Sequence, residues 1–290
     1  MIPRARRFAI GFAICAALAL PATGAAADPS AIRETILPNG LKVLTKELHA
    51  APVVTVWVLY RAGSRNERSG MTGISHVLEH MLFRSTKAMK TGEIDRLIQL
   101  AGGRHNAYTS YDYTAYHITL PSDRLETALR IESDRMLNCA LDPNDLKTEL
   151  GVVLSELQGR LNDPEELLEE RTRATAFLRH PYRNLIIGWK ADVESLTREA
   201  VLEYYQTHYQ PNNAVLVIVG DINTEATLDL VRKYFGGLPS GSPPPPVLAR
   251  EPARTGERRV VVKGPGSTAY LQVFYDTPVA AHPDHYALAV

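Results

Sequence analysis

The chain has 290 residues, 45% of them apolar, with 32 basic and 32 acidic side chains, which suits one substantial globular domain and part of another. That balance, with no long basic stripe, argues against nucleic acid as a partner. Two cysteines, Cys15 and Cys139, exclude a disulfide-built fold.

In chain order, Arg4, Arg6 and Arg7 precede the apolar segment FAIGFAICAALAL and the small-residue stretch ATGAAADPS, the pattern of a secretory signal over residues 1–27, cut after Ala27. The apolar run is too short and wrongly flanked to span a membrane. The expectation is an exported chain, periplasmic or secreted, with no membrane anchor once the signal is removed. Cleavage takes Cys15 and the three arginines with it, leaving 29 basic against 32 acidic residues and Cys139 as a lone thiol.

TILPNGLKVLTKE then predicts a hairpin turning at Asn39-Gly40, and VVTVWVLY a buried strand. Residues 73–84 and 91–101 have helical periodicity, the second run ending at Gly102-Gly103. The alternating, Tyr- and Thr-rich RHNAYTSYDYTAYHITL predicts a second hairpin. Long helical patterns cover about 122–138, 143–162 and 164–179. NAVLVIVGDI predicts a further strand, and 224–235 a helix. Strands and helices mix without strict alternation, which predicts an α+β two-layer sandwich: a mixed, mainly antiparallel sheet with helices packed on one face.

PSGSPPPP, residues 239–246, reads as a Pro-rich linker after a domain over 28–238. RRVVVKG and AYLQVFYD, within 247–290, look like strands, and Pro283 and Asp284 open a helix. So short a segment cannot close a core of its own. The expectation is the beginning of a second, truncated domain.

Chemistry concentrates in GISHVLEHMLF, residues 73–83. On a helix, His76 and His80 lie about 40° apart around the axis and ~6 Å apart along it, so both rings can reach one ion. Glu79 sits beside them without having to bind. Imidazole and carboxylate are zinc donors, a catalytic zinc site keeps one position open for water, and Glu79 is placed to take that water's proton. The order His-x-x-Glu-His is the inverted form of the commoner metallopeptidase motif. The alternative is a pair of ordinary helix histidines, solvent-facing or satisfied in the core. In TELGVVLSELQGR, Glu149 and Glu156 fall seven residues apart, on one helix face. Glu156 as a third ligand, with Glu149 supporting the site from behind, explains acids on a helix that buries GVVL. The alternative is an acid-rich solvated face, as in DPEELLEER nearby. His105, His117 and His180 belong to no second motif and read as structural.

HVLEHMLF, AGG..NAYTS.DYTAYH, the paired glutamates of ELGVVLSE, HPYR, IGW..D.ESLT and YQPNNAVLVIVGDI together resemble the pitrilysin/insulinase family of inverted-motif zinc peptidases. Within it, the chain is most similar to the bacterial branch related to mitochondrial processing peptidase. The resemblance runs from about residue 33 to the end. It implies that His76, His80 and Glu156 are Zn2+ ligands, Glu79 the general base and Glu149 a supporting acid. Glu156 lies 76 residues after His80, in keeping with the family. The resemblance also implies that Asn106 and the backbone of Ala107 lie on an edge strand beside the zinc, where an extended peptide adds as another strand. The residues alone favour an ordinary edge strand with Asn106 at a turn. Arg84-Ser85 stands where relatives often carry Lys-Gly, a departure expected to touch only the rim of the site.

Family members are built of two similar α+β halves, and an Arg and a Tyr of the second half help hold the substrate. Those positions are absent here, so the resemblance implies a complementary peptidase-like half or subunit as partner, in a homo- or hetero-oligomer, alongside peptide substrates. Two functions follow. One is a zinc-dependent endopeptidase for unfolded peptides or short polypeptides. The other is a non-catalytic or partner-dependent subunit that binds peptides or scaffolds a complex. Glu79 favours the first, because a scaffold has no physical need for an acid beside the ion.

Overall fold

A computed structural model of the chain describes residues 31–264 and 267–288. The expected signal segment and Cys15 lie outside the described residues. The elements run β1 (Arg33–Ile36), β2 (Lys42–Glu47), β3 (Val53–Tyr60), α1 (Ile74–Met81), α2 (Glu93–Leu100), β4 (Arg104–Thr109), β5 (Thr114–Pro121), α3 (Leu125–Asn138), α4 (Pro143–Leu161), α5 (Pro164–Ala176), α6 (Lys190–Ser195), α7 (Arg198–His208), β6 (Ala214–Gly220), α8 (Thr224–Phe235) and α9 (His285–Leu288).

The six strands form one sheet in the order β1-β2-β6-β3-β5-β4. The β2–β6 pair is parallel and the other pairs are antiparallel, so the architecture is the α+β sandwich with a mixed sheet. Alternation decides the covered face. Val54, Val56, Val58 and Tyr60 of β3, Tyr116 and Ile118 of β5, and Leu216 and Ile218 of β6 are fully buried. Thr55, Trp57, Leu59, His117, Val215 and Val217 between them stay partly exposed, as on a sheet with helices on one side only. Ile74, Val77, Leu78 and Met81 of α1, Leu129 and Ile131 of α3, and Val231 and Phe235 of α8 complete this core. Beneath β5, the fully buried Arg135 donates through Nε to Glu132 at 2.7 Å, and its guanidinium lies 4.4 Å from the Tyr116 ring centroid. The pair compensates charge that burial alone makes costly.

Capping separates the long helices. Asp142 accepts from the backbone N–H of Asn144 at 2.8 Å, ahead of Pro143 at the first position of α4. Asp163 accepts from that of Glu165 at 2.8 Å, ahead of Pro164 at the start of α5, so each helix begins on a side-chain acceptor followed by proline.

Two findings depart from the sequence reading. Helices α6 and α7 fill a stretch to which no element was assigned; α7 starts where Thr197 accepts from the Ala200 N–H at 3.3 Å. RRVVVKG and AYLQVFYD form no strand among their described residues, and Leu271 is 89% exposed. Alternation is not enough for a strand, because each backbone N–H and C=O also needs a partner. The Pro-rich stretch and the residues after it lie along the helices. Asn212 Nδ2 donates to the Gly241 carbonyl at 2.8 Å. The Glu251 carboxylate accepts from the N–H groups of Leu178, Arg179 and His180 at 2.6, 2.9 and 3.0 Å. Arg258 donates to the Ala176 carbonyl at 2.7 Å, at the end of α5. No helix among the described residues is long and apolar enough to cross a membrane.

Candidate metal centre

The start of α1 is built backbone against backbone. Gly73 takes φ 88°, and a Cβ there would meet the Ile187 carbonyl oxygen at 2.4 Å. Gly188 takes φ 81°, and its Cβ would lie 2.4 Å from the Thr72 carbonyl. Only glycine fits both positions. Asp192 accepts from the Thr72 N–H at 3.1 Å and hydroxyl at 2.7 Å, and the Trp189 N–H donates to the Thr72 hydroxyl at 2.9 Å. The buried Glu67 accepts from the N–H groups of Gly73 and Ser75 at 2.9 and 3.0 Å, an acid at the positive end of the helix. Burial nonetheless pushes its carboxyl up to about 7, against those two bonds. The sequence pattern IGW..D thus has a local purpose: it fixes where α1 begins.

α1 carries His76, Glu79 and His80, and packs against α4, which carries Glu149 and Glu156. His76 Nε2 lies 3.6 Å and His80 Nε2 3.9 Å from Glu156 Oε2. One donor atom from each of the three residues falls within 4.8 Å of the other two. For metal–ligand bonds of ~2.1 Å, tetrahedral zinc needs donors about 3.4 Å apart. Two imidazoles and a carboxylate at these separations fit such an ion with one position left open.

Neighbouring groups orient one of the two imidazoles and set the protonation of the other. His80 Nδ1 lies 2.8 Å from Glu149 Oε2. A carboxylate only accepts, so Nδ1 carries a hydrogen, and the ring is held with Nε2 turned towards Glu156. Burial, followed by the neighbouring His80, brings the His76 imidazole down to about 4, so it is neutral at neutral pH.

Glu79 is buried beside this cluster but is not part of it. The Thr109 hydroxyl, at the end of β4, donates to Glu79 Oε2 at 2.6 Å. Burial raises the Glu79 carboxyl above its ordinary value, and the Thr109 bond opposes the rise. Glu149, 3% exposed, has both oxygens engaged, one by His80 and the other by Arg84. Arg84 was expected at the rim; instead its guanidinium reaches behind the histidine. Glu156 Oε1 accepts from Arg160 Nε at 3.2 Å, and Arg160 also reaches Glu166 at 3.4 Å.

Asn106 and Ala107 lie on β4, the terminal strand, which pairs only with β5 among the described strands. Asn106 is exposed and Ala107 buried. The remaining histidines stay apart from the cluster. His105 Nε2 lies 2.8 Å from Asp95, His117 stacks on Trp57 with centroids 4.5 Å apart, and His180 accepts from the Tyr182 N–H at 3.3 Å. Thr109, Arg84 and Arg160 went unrecognised in the sequence. For Thr109 a partial signal existed, since strand alternation puts it on the same side as the buried Ala107.

Residues 42–189 match the family model described as Insulinase (Peptidase family M16), and residues 195–290 match that described as Peptidase M16 inactive domain. The chain belongs to the insulinase peptidase family. Within the family, it is 35% identical over 258 residues to the zinc protease PqqE of Helicobacter pylori, covering 87% of this chain and 58% of that protein. It is 32% identical over 260 residues to a probable mitochondrial-processing peptidase subunit beta of Arabidopsis thaliana, covering 89% and 49% respectively. The crystal structure of a protease from Helicobacter pylori superposes with a TM-score of 0.77 at 35% identity, over 79% of this chain and 56% of that one. The first half of the periplasmic protease PqqL from Escherichia coli superposes with a TM-score of 0.71 at 26% identity, over 77% and 49%. The chain thus spans about half the length of these relatives.

Proposed function

We propose that the chain is the metal-bearing part of a zinc-dependent endopeptidase for unfolded peptides, with His76, His80 and Glu156 as ligands and Glu79 as general base. The observation that carries this reading is the convergence of His76, His80 and Glu156 on one point while the buried Glu79 stands beside them unligated. Bound there, zinc supplies a Lewis acid that polarises the scissile carbonyl and acidifies water.

The chain's own residues do the rest. Glu79 takes the proton of the attacking water and returns it to the leaving nitrogen, and its raised carboxyl is the stronger base for that purpose. Thr109 holds one Glu79 oxygen, leaving the other for the water. Glu149 fixes the His80 ring. The peptide pairs with the open edge of β4 at Asn106 and Ala107, an arrangement that recognises backbone and therefore extended, unfolded segments.

Because the chain spans about half of its relatives, cleavage in this reading needs a complementary half or subunit, in cis or in trans. Residues 28–238 are then the metal-bearing domain, 239–246 a linker and 247–290 the start of the next unit. The signal pattern at residues 1–27, together with the likeness to a periplasmic protease, supports export to the periplasm. The match of residues 195–290 to an inactive-domain model favours a second reading, a non-catalytic or partner-dependent subunit that binds peptides or scaffolds a peptidase complex.

Glu79→Gln decides between chemistry and binding. With the complementary half supplied, cleavage of an unfolded peptide should fall about 10²–10⁴-fold, while bound zinc and peptide affinity stay at the parent level. Cleavage at close to the parent rate would show that Glu79 is not the base.

A further inference from the structure

The geometry points to Arg84 as a positioning residue for the metal centre: by holding the far oxygen of Glu149, it fixes the carboxylate that orients His80. This rests on the zinc reading above and adds a residue that reading does not use. Glu149 is 3% exposed, and a carboxylate at that depth needs both oxygens partnered. Oε2 faces His80 Nδ1 at 2.8 Å, and Oε1 accepts from Arg84 Nη2.

The backbone that carries Arg84 is itself held in place. It lies in the turn that ends α1, where the Phe83 N–H donates to the His80 carbonyl at 3.1 Å and the Arg84 N–H to the Met81 carbonyl at 3.0 Å. The same helix end therefore supplies both partners of Glu149, which projects from α4. A guanidinium, a carboxylate and an imidazole close a loop between the two helices, and the free end of that loop is His80 Nε2, 3.9 Å from Glu156 Oε2. With only His80 left as partner, the carboxylate could turn about its terminal torsion, and the ring would lose its fixed orientation. Partners of this kind behind a metal ligand tune its affinity. Arg160 does not hold Glu156 in the same way. It is 44% exposed, and a pair so open to solvent holds geometry weakly.

The test is zinc affinity, measured by chelator competition on the purified chain. Arg84→Met should bind zinc about 10–100-fold more weakly than the parent, and Arg84→Lys, which restores a charged donor, should recover most of the loss. With cobalt in place of zinc, the visible spectrum of Arg84→Met should shift, while the metal-free proteins melt at the same temperature. An unchanged affinity in Arg84→Met overturns the proposal. So does an equal loss in the Lys and Met variants that tracks a lower melting temperature of the metal-free protein, since that would mark a merely structural role. If Arg84→Met fails to fold, Arg84→Gln, which stays polar without the charge, is read the same way. A parent that binds no zinc defeats the reading in the preceding section and this one with it, whereas a zinc-binding parent with an unaffected Arg84→Met defeats only this one.

Discussion

Along the central strand β3, alternation and burial agree: Val54, Val56 and Val58 are all fully buried. Between 247 and 288 the same kind of alternation leaves Val261, Leu271 and Tyr275 exposed, and the segment is held by polar clamps such as Glu251 and Arg258 instead. The difference teaches that a period of two only nominates the side chains to be buried. A neighbouring strand that pairs the backbone, and a helix layer that covers the face, carry out the burial.

The largest expected contrast breaks or supports that distinction directly. Ile118→Ala, in the middle of β5 and fully buried, should cost about 2–5 kcal/mol of stability in denaturant unfolding. Leu271→Ala should change it by no more than about 0.5 kcal/mol. A cost at Leu271 comparable to that at Ile118 would show that residues 247–288 pack in solution and that the comparison is false.

A smaller effect sharpens it. If polar clamps hold the second region, Glu251→Gln should loosen it without unfolding the sheet, so cutting at Arg250 and Arg254 by trypsin at neutral pH should accelerate several-fold while the denaturation midpoint stays put. Burial raises the Glu251 carboxyl, but the three backbone N–H groups outweigh it and bring it down from its ordinary 4.5 to about 2. An acid depressed in the folded state stabilises fully above its unfolded value and loses that contribution as pH falls through its folded value. The parent's clamp should therefore be intact above pH 4.5 and weaken from there towards pH 2, with pepsin cutting in 239–258 as the readout. Equal cutting of parent and Glu251→Gln at every pH would mean that the clamp holds nothing.

Legibility in the sequence follows the same physics. The sheet strands, the two hairpins and the long helices were readable because their periods and turn residues are local. His76, Glu79 and His80 were readable for the same reason, since four residues on one helix fix their neighbourhood. Glu156 could be put on one face with Glu149, but its approach to α1 depends on how α4 crosses that helix, and only the family resemblance supplied that. Alternation gave the side of β4 on which Thr109 lies, but the pairing of Thr109 with Glu79 and of Arg84 with Glu149 was out of reach, since those partners lie 30 and 65 residues away and no period links them. Helix α7 was missed because it is short and buries adjacent aromatics, Tyr204 and Tyr205, which blurs a helical stripe.

The central claim is that side chains of α1 and α4, far apart in the chain, form one zinc centre. Metal analysis of the purified chain and its variants tests it most directly. The account predicts about one zinc per chain in the parent and in Glu79→Gln, and loss of most of it in His76→Ala, His80→Ala and Glu156→Ala alike. Full zinc in His80→Ala would contradict it.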